Sequence, residues 1–432
     1  MFRILLNKLL YALSILLGVV TLVFFIFNLS PADPARQIAG QNDSEEVLIA
    51  IRKNLGLDLP LFSRYFLYLN DLSPLSIHDT KDTSAPDFLS DEKYDFFKIA
   101  SFTSSALVLK KPYLRRSYKS NRPVADILMS SLPGTVILAV SAMTFALFFG
   151  ILLGVFTALR KGRVEDHLSL FISALGMSLP SFFMAILIAW LGGLVWYEQV
   201  FFPAFPFILA VLAWLWHVLR KNKLFFKFSN NPSSGKFVII GFFIGILYCI
   251  IAALIPLNWS ANLPFAEWMI VLPGTGLPMT GSLYDIDPWK GEYLVPQNLI
   301  LPALTLGIRP LSVVVQLTRN SLLEVLESDF VRTARAKGLS QFRVIFVHAL
   351  RNALNPVVTA VSGWFASLLA GAVFVEFVFG WKGLGLEVFS ALEKEDLPVV
   401  MGAVLIIACS FVIINLLVDL IYAWLDPRVR FQ

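Results

Sequence analysis

Eight apolar segments, each about 20 residues or longer, divide this sequence and limit what it can fold into. An α-helix needs about 20 mostly apolar residues to cross the ~30 Å hydrocarbon core of a bilayer. The segments are 9–29, 134–159, 168–195, 201–219, 237–259, 298–317, 355–379 and 399–425. Only 15% of the 432 residues are charged, whereas soluble domains carry about 25%. We therefore expect an all-α polytopic membrane protein.

The first segment is expected to be an uncleaved anchor. Its apolar core is longer than that of a signal peptide, and the "NLSPADPA" that follows is a poor cleavage site.

Lys and Arg in the short connections predict the orientation of the spans. Basic residues collect on the cytoplasmic side of a membrane protein. With eight spans, the basic connections all fall on one side: Arg3 and Lys8, 160–167, 220–236, 329–356 and the tail 426–430. The opposite connections, 267–298 and 381–396, are neutral or acidic. Both termini are therefore expected in the cytoplasm. Because the basic residues lie beside apolar runs, they do not indicate a nucleic-acid surface.

These assignments give a domain organisation. It comprises an anchor at 1–29, an external region at 30–133, a first part of the transmembrane core at 134–195, an inserted hairpin at 196–268 and a second part of the core at 269–432. Within the external region, Val47, Ile51, Leu55 and Leu59 have helical spacing. The acid-rich stretch 76–95 is expected to be a loop or a small insertion.

Motifs for enzyme chemistry are absent from the sequence. His78, His167, His217 and His348 are far apart, and no H-E-x-x-H, C-x-x-C, G-x-S-x-G or phosphate-loop pattern occurs. Cys249 and Cys409 lie inside apolar segments and are expected to be buried small side chains. We therefore expect a protein that is not an enzyme. If it moves a solute uphill, the energy must come from an ion gradient or from a separate ATPase.

Three residues of the Lys, Arg, Asp and Glu types fall within the predicted spans, namely Arg309, Glu376 and Asp419. Burying such groups in a membrane is costly, so each is a candidate for a transport path or for ion coupling. The alternative for Glu376 and Asp419 is that they snorkel or pair near the interfaces. A secondary transporter would favour matching broken helices in two inverted halves, and the sequence shows neither.

The stretch "DFVRTARAKGLSQFRVIFVHALRNALNP", 329–356, carries six basic residues, counting His348, and one acid. Ser328 or Asp329 is placed to cap a short helix, and Gly338 to end it. A second helix restarts after Ser340. A positive-inside loop would explain the charges but not this helix–glycine–helix pattern. A surface of small and basic residues favours a docking role.

This stretch resembles the cytoplasmic coupling loop of ABC-importer permeases, with its E-A-A…G…I-x-L-P pattern, and is most similar to that of the dipeptide/oligopeptide/nickel permease family. Thr333, Ala334 and Arg335 stand at the E-A-A positions, and Arg351 replaces the proline. The family's loop docks into a groove of an ATPase subunit. The positions carried over are Arg332, Thr333, Ala334, Arg335, Ala336, Lys337, Gly338, His348, Leu350 and Arg351.

The resemblance covers most of the chain, with departures at 73–112 and 196–268. It implies a six-helix type I importer core, to which the insertion adds a two-helix hairpin. The implied partners are a second homologous permease, two ATPase subunits and an external solute-binding protein. ATP would be hydrolysed by the ATPase subunits, and this chain would bind no cofactor or metal. The implied substrates are di- or oligopeptides, with nickel or another small solute as the alternative.

Small residues mark candidate helix contacts. Gly150–Gly154 and Gly241–Gly245 are G-x-x-x-G pairs, and Gly363, Ser367 and Gly371 share one helix face. Static packing is the simpler interpretation, and a lining for the substrate path is the alternative for the last three.

Overall fold

The computed structural model describes residues 2–28, 34–39, 44–198 and 269–425, apart from 55, 83–84, 92, 103, 288 and 290, together with 200–203 and five residues between 206 and 244. Most of the predicted hairpin at 196–268 lies outside the described residues, as do Cys249, the Gly241–Gly245 pair and the basic tail. The chain forms two compact units, one of Met1–Ala189 with Met279–Gln432 and one of Trp190–Pro278.

Helices dominate the first unit. They are α1 (Phe2–Asn28), α2 (Pro34–Ala39), α3 (Glu45–Asn54), α4 (Leu61–Leu72), α5 (Val124–Leu159), α6 (Val164–Ser178), α7 (Ser181–Ile188), α8 (Gln297–Leu326), α9 (Asp329–Ala336), α10 (Gln341–Arg343), α11 (Leu350–Ala353), α12 (Asn355–Phe379), α13 (Leu384–Glu393) and α14 (Leu397–Leu425). Two π-helices, Ala189–Val195 and Val344–Ala349, follow α7 and α10.

Among the described residues, four helices are long and apolar enough to cross a membrane, or up to six if each of two bent pairs is one span. The predicted helices at 9–29, 134–159, 298–317 and 399–425 are confirmed as α1, α5, α8 and α14. α5 begins at Val124, inside the segment assigned to the external region.

The predicted span 168–195 is not one straight helix. α6 and the helix that starts at Ser181 meet at 109°. Leu179 has an extended backbone, with ψ 134°. The following Pro180 explains the break, because proline disfavours the helical conformation of the residue before it.

α5 and α8 pack closely through glycines. A Cβ on Gly150 would lie 2.7 Å from Cγ1 of Val314, and one on Gly154 would lie 2.6 Å from Cβ of Thr318. Both distances are shorter than atoms tolerate. The predicted packing role of this pair is therefore confirmed, since only glycine lets the two helices come this near.

Large apolar side chains cover the outside of α5. Phe148 is 59% exposed, and Leu152 and Phe156 are exposed to a similar degree. A surface of this kind fits a hydrocarbon environment rather than water.

The chain is not all-α, which corrects the prediction for its fold class. β1 (Leu75–Asp79), β2 (Phe96–Ser101) and β3 (Ser105–Lys110) form an antiparallel sheet in the order β1-β3-β2. β1 occupies the start of the stretch 76–95, where a loop or small insertion was expected, and β2 begins directly after that stretch. The reason is a short alternation: Ser76 and His78 are buried, whereas Leu75 and Ile77 are exposed.

Two further strand pairs lie after α7. β4 (Val200–Pro203) pairs with β5 (Met269–Leu272) in the second unit, and β6 (Tyr284–Asp287) pairs with β7 (Gly291–Leu294) in the first. The predicted span 201–219 therefore begins in a strand rather than in a helix.

Candidate functional site

α9 lies on the end of the bundle where α5 and α8 finish. Ser328 precedes it with an extended backbone, and Gly338 follows it with φ +75°, a left-handed conformation that suits glycine. The helix–glycine–helix pattern predicted from the sequence is thus present.

α9 has two different faces. Val331 and Ala334 are buried, whereas the other predicted coupling residues of this helix and its turn are exposed: Arg332, Thr333, Arg335, Ala336, Lys337 and Gly338. One face therefore holds the helix on the bundle, and the other presents three cations and small side chains outward.

The second helix of the stretch starts at Ser340, whose hydroxyl accepts from the amide of Arg343. It continues through the π-helix Val344–Ala349 into α11. His348 and Leu350 are half-buried and Arg351 is exposed. The rings of Phe342 and Phe346 lie 4.6 Å apart on the exposed side, a feature that the sequence analysis did not single out.

An apolar cluster joins this stretch to the long helices. Val155 and Ala158 of α5 and Leu322 of α8 pack with Val331 and Ala334 of α9. Val344, Ile345, Ala349 and Ala353 complete the cluster. α9 is therefore in direct contact with both α5 and α8.

An ion pair fixes the start of α6 to the same end of α8. Nε and Nη2 of Arg319 donate to the two carboxylate oxygens of Asp166 across 2.6 and 2.7 Å. Asp166 is 1% exposed and also accepts from the amide of Gly162. Sequence reasoning missed this pair, because the partners are far apart along the chain.

Arg309 lies on the exposed side of α8. Its guanidinium carbon is 6.0 Å from the centre of the Trp364 ring on α12. On α12, Gly363, Ser367 and Gly371 are also exposed, and a Cβ on Gly363 or Gly371 would meet nothing within 4 Å. Among the described residues nothing covers this surface, which we call the α8/α12 face.

Glu376 lies apart from that face. It is 0% exposed, and its carboxylate accepts hydrogen bonds from Thr135 of α5 and from the amides of Gly385 and Leu386 in α13. It is twelve residues beyond Trp364, about 18 Å along the helix at ~1.5 Å per residue. Asp419 is on α14, and its side chain lies outside the described part.

Comparison with known proteins identifies the family. The model described as "Binding-protein-dependent transport system inner membrane component" matches residues 237–431, and the model described as "Binding-prot-dependent transport system membrane comp, N-term" matches residues 1–88.

Curated relatives match over nearly their whole length. The chain is 30% identical to the dipeptide transport system permease protein DppB of Escherichia coli K12, covering 100% of this chain and 99% of the relative. It is 28% identical to DppB of Alkalihalophilus pseudofirmus, covering 98% of both. It is 29% identical to the glutathione transport system permease protein GsiC of Escherichia coli O6:H1, covering 98% and 99%. The chain therefore belongs to the family of binding-protein-dependent transport system inner membrane components, as an ABC permease of the peptide type.

Proposed function

We propose that the chain forms, together with a second homologous permease, the path by which an ABC importer carries di- or oligopeptides across the inner membrane. The relatives support this substrate class, since their names specify dipeptides and glutathione. The observation that carries the proposal is the two-sided α9, with a basic outer face and Val331 and Ala334 anchored between the ends of α5 and α8.

The outer face of α9 docks into a groove of an ATPase subunit. Arg332, Arg335 and Lys337 meet acidic or polar groups of that groove, while Ala336 and Gly338 allow a close approach. When ATP binding closes the two ATPase subunits, the displaced α9 carries α5 and α8 with it. The bundle then changes from inward-facing to outward-facing, which is the two-state switch that alternating access requires.

This mechanism fixes the orientation. The end that carries α9 faces the cytoplasm, with both chain termini, and the end that carries α13 faces the external solute-binding protein. The ATPase subunits hydrolyse ATP, and this chain contributes the path and the coupling surface.

The proposal is tested by enlarging one exposed side chain of α9. Ala336→Trp puts an indole on the docking face without touching the buried cluster. We expect the purified complex to lose its ATPase subunits while the permease keeps its thermal stability. Gly338→Trp is expected to do the same, but the positive φ of Gly338 adds backbone strain to the steric effect.

The matched control is Lys119→Trp, an exposed position on the opposite end of the bundle. It is expected to retain the ATPase subunits. Equal recovery of these subunits with both variants would overturn the docking assignment.

A further inference from the structure

We propose that Arg309 receives a carboxylate of the transported peptide on the α8/α12 face, an inference that rests on the proposed function and names the chemical group that the path recognises.

The first step is the position of the charge. α8 spans Gln297–Leu326, so Arg309 lies about 4 Å from the midpoint of the helix at ~1.5 Å per residue. An arginine keeps its charge under all physiological conditions. Placing it near the centre of a bilayer is costly unless it meets water or a partner.

The second step is the contrast between two arginines of α8. Arg319 is bound by both oxygens of Asp166. Arg309 has no carboxylate within 4.0 Å among the residues that the structure describes, and its contact is the Trp364 ring. Within the described part of the chain the guanidinium N–H groups of Arg309 donate no hydrogen bond, so they are available to a ligand.

The third step excludes a lipid-facing surface. The exposed surface of α5 carries bulky apolar side chains, as Phe148 and Phe156 show, and such a surface suits contact with lipid. The α8/α12 face instead combines Arg309 with Gly363, Ser367 and Gly371, whose small side chains leave open space. A charged group beside such space fits a hydrated path that admits a solute.

The fourth step is the chemistry of the ligand. The planar guanidinium matches a carboxylate through two parallel hydrogen bonds. Every unmodified peptide ends in a carboxylate, whatever its side chains. A contact with this group would therefore serve peptides of different sequence, while Ser367 and the glycine surface would accept the main chain.

The test uses a reporter cysteine next to Arg309. In the complete transporter in vesicles, Cys249→Ser and Cys409→Ser remove the native thiols, and Ser367→Cys adds one by an isosteric change. Methanethiosulfonate reagents of equal size, one anionic and one cationic, are then compared. We expect the anionic-to-cationic rate ratio to fall about tenfold when Arg309→Gln is added, and to be preserved by Arg309→Lys.

Protection of the same cysteine identifies the ligand group. We expect dialanine at millimolar concentration to slow the labelling of Ser367→Cys, and dialanine amide, which lacks the carboxylate, to leave it unchanged. Arg309→Gln should abolish the protection. Thermal unfolding of this variant should match that of the parent, because Arg309 has no ion pair to lose among the residues that the structure describes.

Equal protection by the two peptides, or protection by neither, would overturn the carboxylate assignment. A cysteine that reacts with neither reagent would show that the α8/α12 face is not hydrated, and would overturn it as well. Recovery of the ATPase subunits from the same vesicles separates these failures from a failure of the proposed function, which would remove the subunits instead.

Discussion

Thr135 and Glu376, which lie on different helices, share a 2.7 Å hydrogen bond from the threonine hydroxyl to Oε1 of the carboxylate. The threonine oxygen also accepts from the amide of Leu384, at 2.7 Å. Oε2 of Glu376 accepts from Gly385 and Leu386, at 2.6 and 3.2 Å. The carboxylate therefore caps the amino end of α13, where unpaired amides and the helix dipole favour a negative charge. This accounts for a fully buried acid that has no cationic partner in the described part of the chain.

Thr135→Val keeps the shape of the side chain and removes both of its hydrogen bonds. We expect the free energy of unfolding to fall by about 1–3 kcal/mol, because the amide of Leu384 is left buried and unpaired. The measurement is amide hydrogen exchange in the first turn of α13, which should lose protection. Thr144→Val is the matched control, since the Thr144 hydroxyl bonds only to the Val140 carbonyl of its own helix. Unchanged exchange in Thr135→Val would contradict the capping role.

Replacing glycine by alanine should change the stability of the protein differently at two positions. Gly154→Ala places a Cβ 2.6 Å from Cβ of Thr318 and should cost about 1–3 kcal/mol through overpacking. Gly363→Ala meets nothing within 4 Å and should be neutral, or stabilising by up to about 1 kcal/mol, because alanine favours the helix. Thermal unfolding in detergent measures both. Equal Tm values would show that α5 and α8 do not need their close contact.

The Asp166–Arg319 pair can be measured with a double-mutant cycle. Arg319→Gln leaves a buried carboxylate without its partner and should cost about 3–5 kcal/mol. The double variant Asp166→Asn, Arg319→Gln should lose less free energy of unfolding than the two single variants lose in total. Denaturant unfolding of all four proteins gives the coupling energy. Strict additivity would mean that the two side chains act independently.

The three-stranded sheet of β1, β2 and β3 should weaken in acid. Burial lowers the pKa of His78 below its ordinary 6.5, and a hydrogen bond to the Asp87 carbonyl and the charge of Asp71 only partly oppose this shift. The charges of Lys110 and Lys93 lower it further. Since the folded-state pKa is the lower one, the stability contributed by the neutral ring is complete above pH 6.5 and is lost as the pH falls towards the folded-state value.

Hydrogen exchange of β1 and β3 amides at about pH 7.5 and about pH 5.5 checks this expectation. Rates are corrected for the intrinsic effect of pH, and protection should fall at the lower pH. Burial also lowers the pKa of Lys110, to about 8, so this lysine is already largely protonated over that range. His78→Gln should remove the pH dependence, whereas His167→Gln, at an exposed position, should retain it.

Local patterns predicted the parts of the fold that local physics determines. Long apolar runs located α1, α5, α8 and α14, and the spacing of Ser328 and Gly338 located α9 and its turn. The break at Pro180 was not predicted, although an X-Pro pair inside an apolar run favours such an interruption. β1 was missed because its alternation extends over only five residues in an acid-rich stretch.

The remaining features depend on contacts between distant parts of the chain. Glu376 could be recognised as an unusual buried acid, but its partners are set by how α13 packs against α5. In the sequence, Asp166 is an acid within the basic connection 160–167. Its partner Arg319 becomes apparent only in the structure, where α8 lies beside it. For Arg309, the sequence indicated only that burying its charge in a membrane is unfavourable. The structure shows in addition that the α8/α12 face lies beside it.

The glycine contacts between α5 and α8 have a consequence for movement. A Cβ at Gly150 or Gly154 would already overlap the facing helix, so the two helices have no space in which to slide past each other. α9 packs on both helices, so we expect the three to move together. The two corners between described helices, 109° at Pro180 and 47° where α11 gives way to α12, lie outside them. We expect the permease to bend at these corners when α9 is displaced.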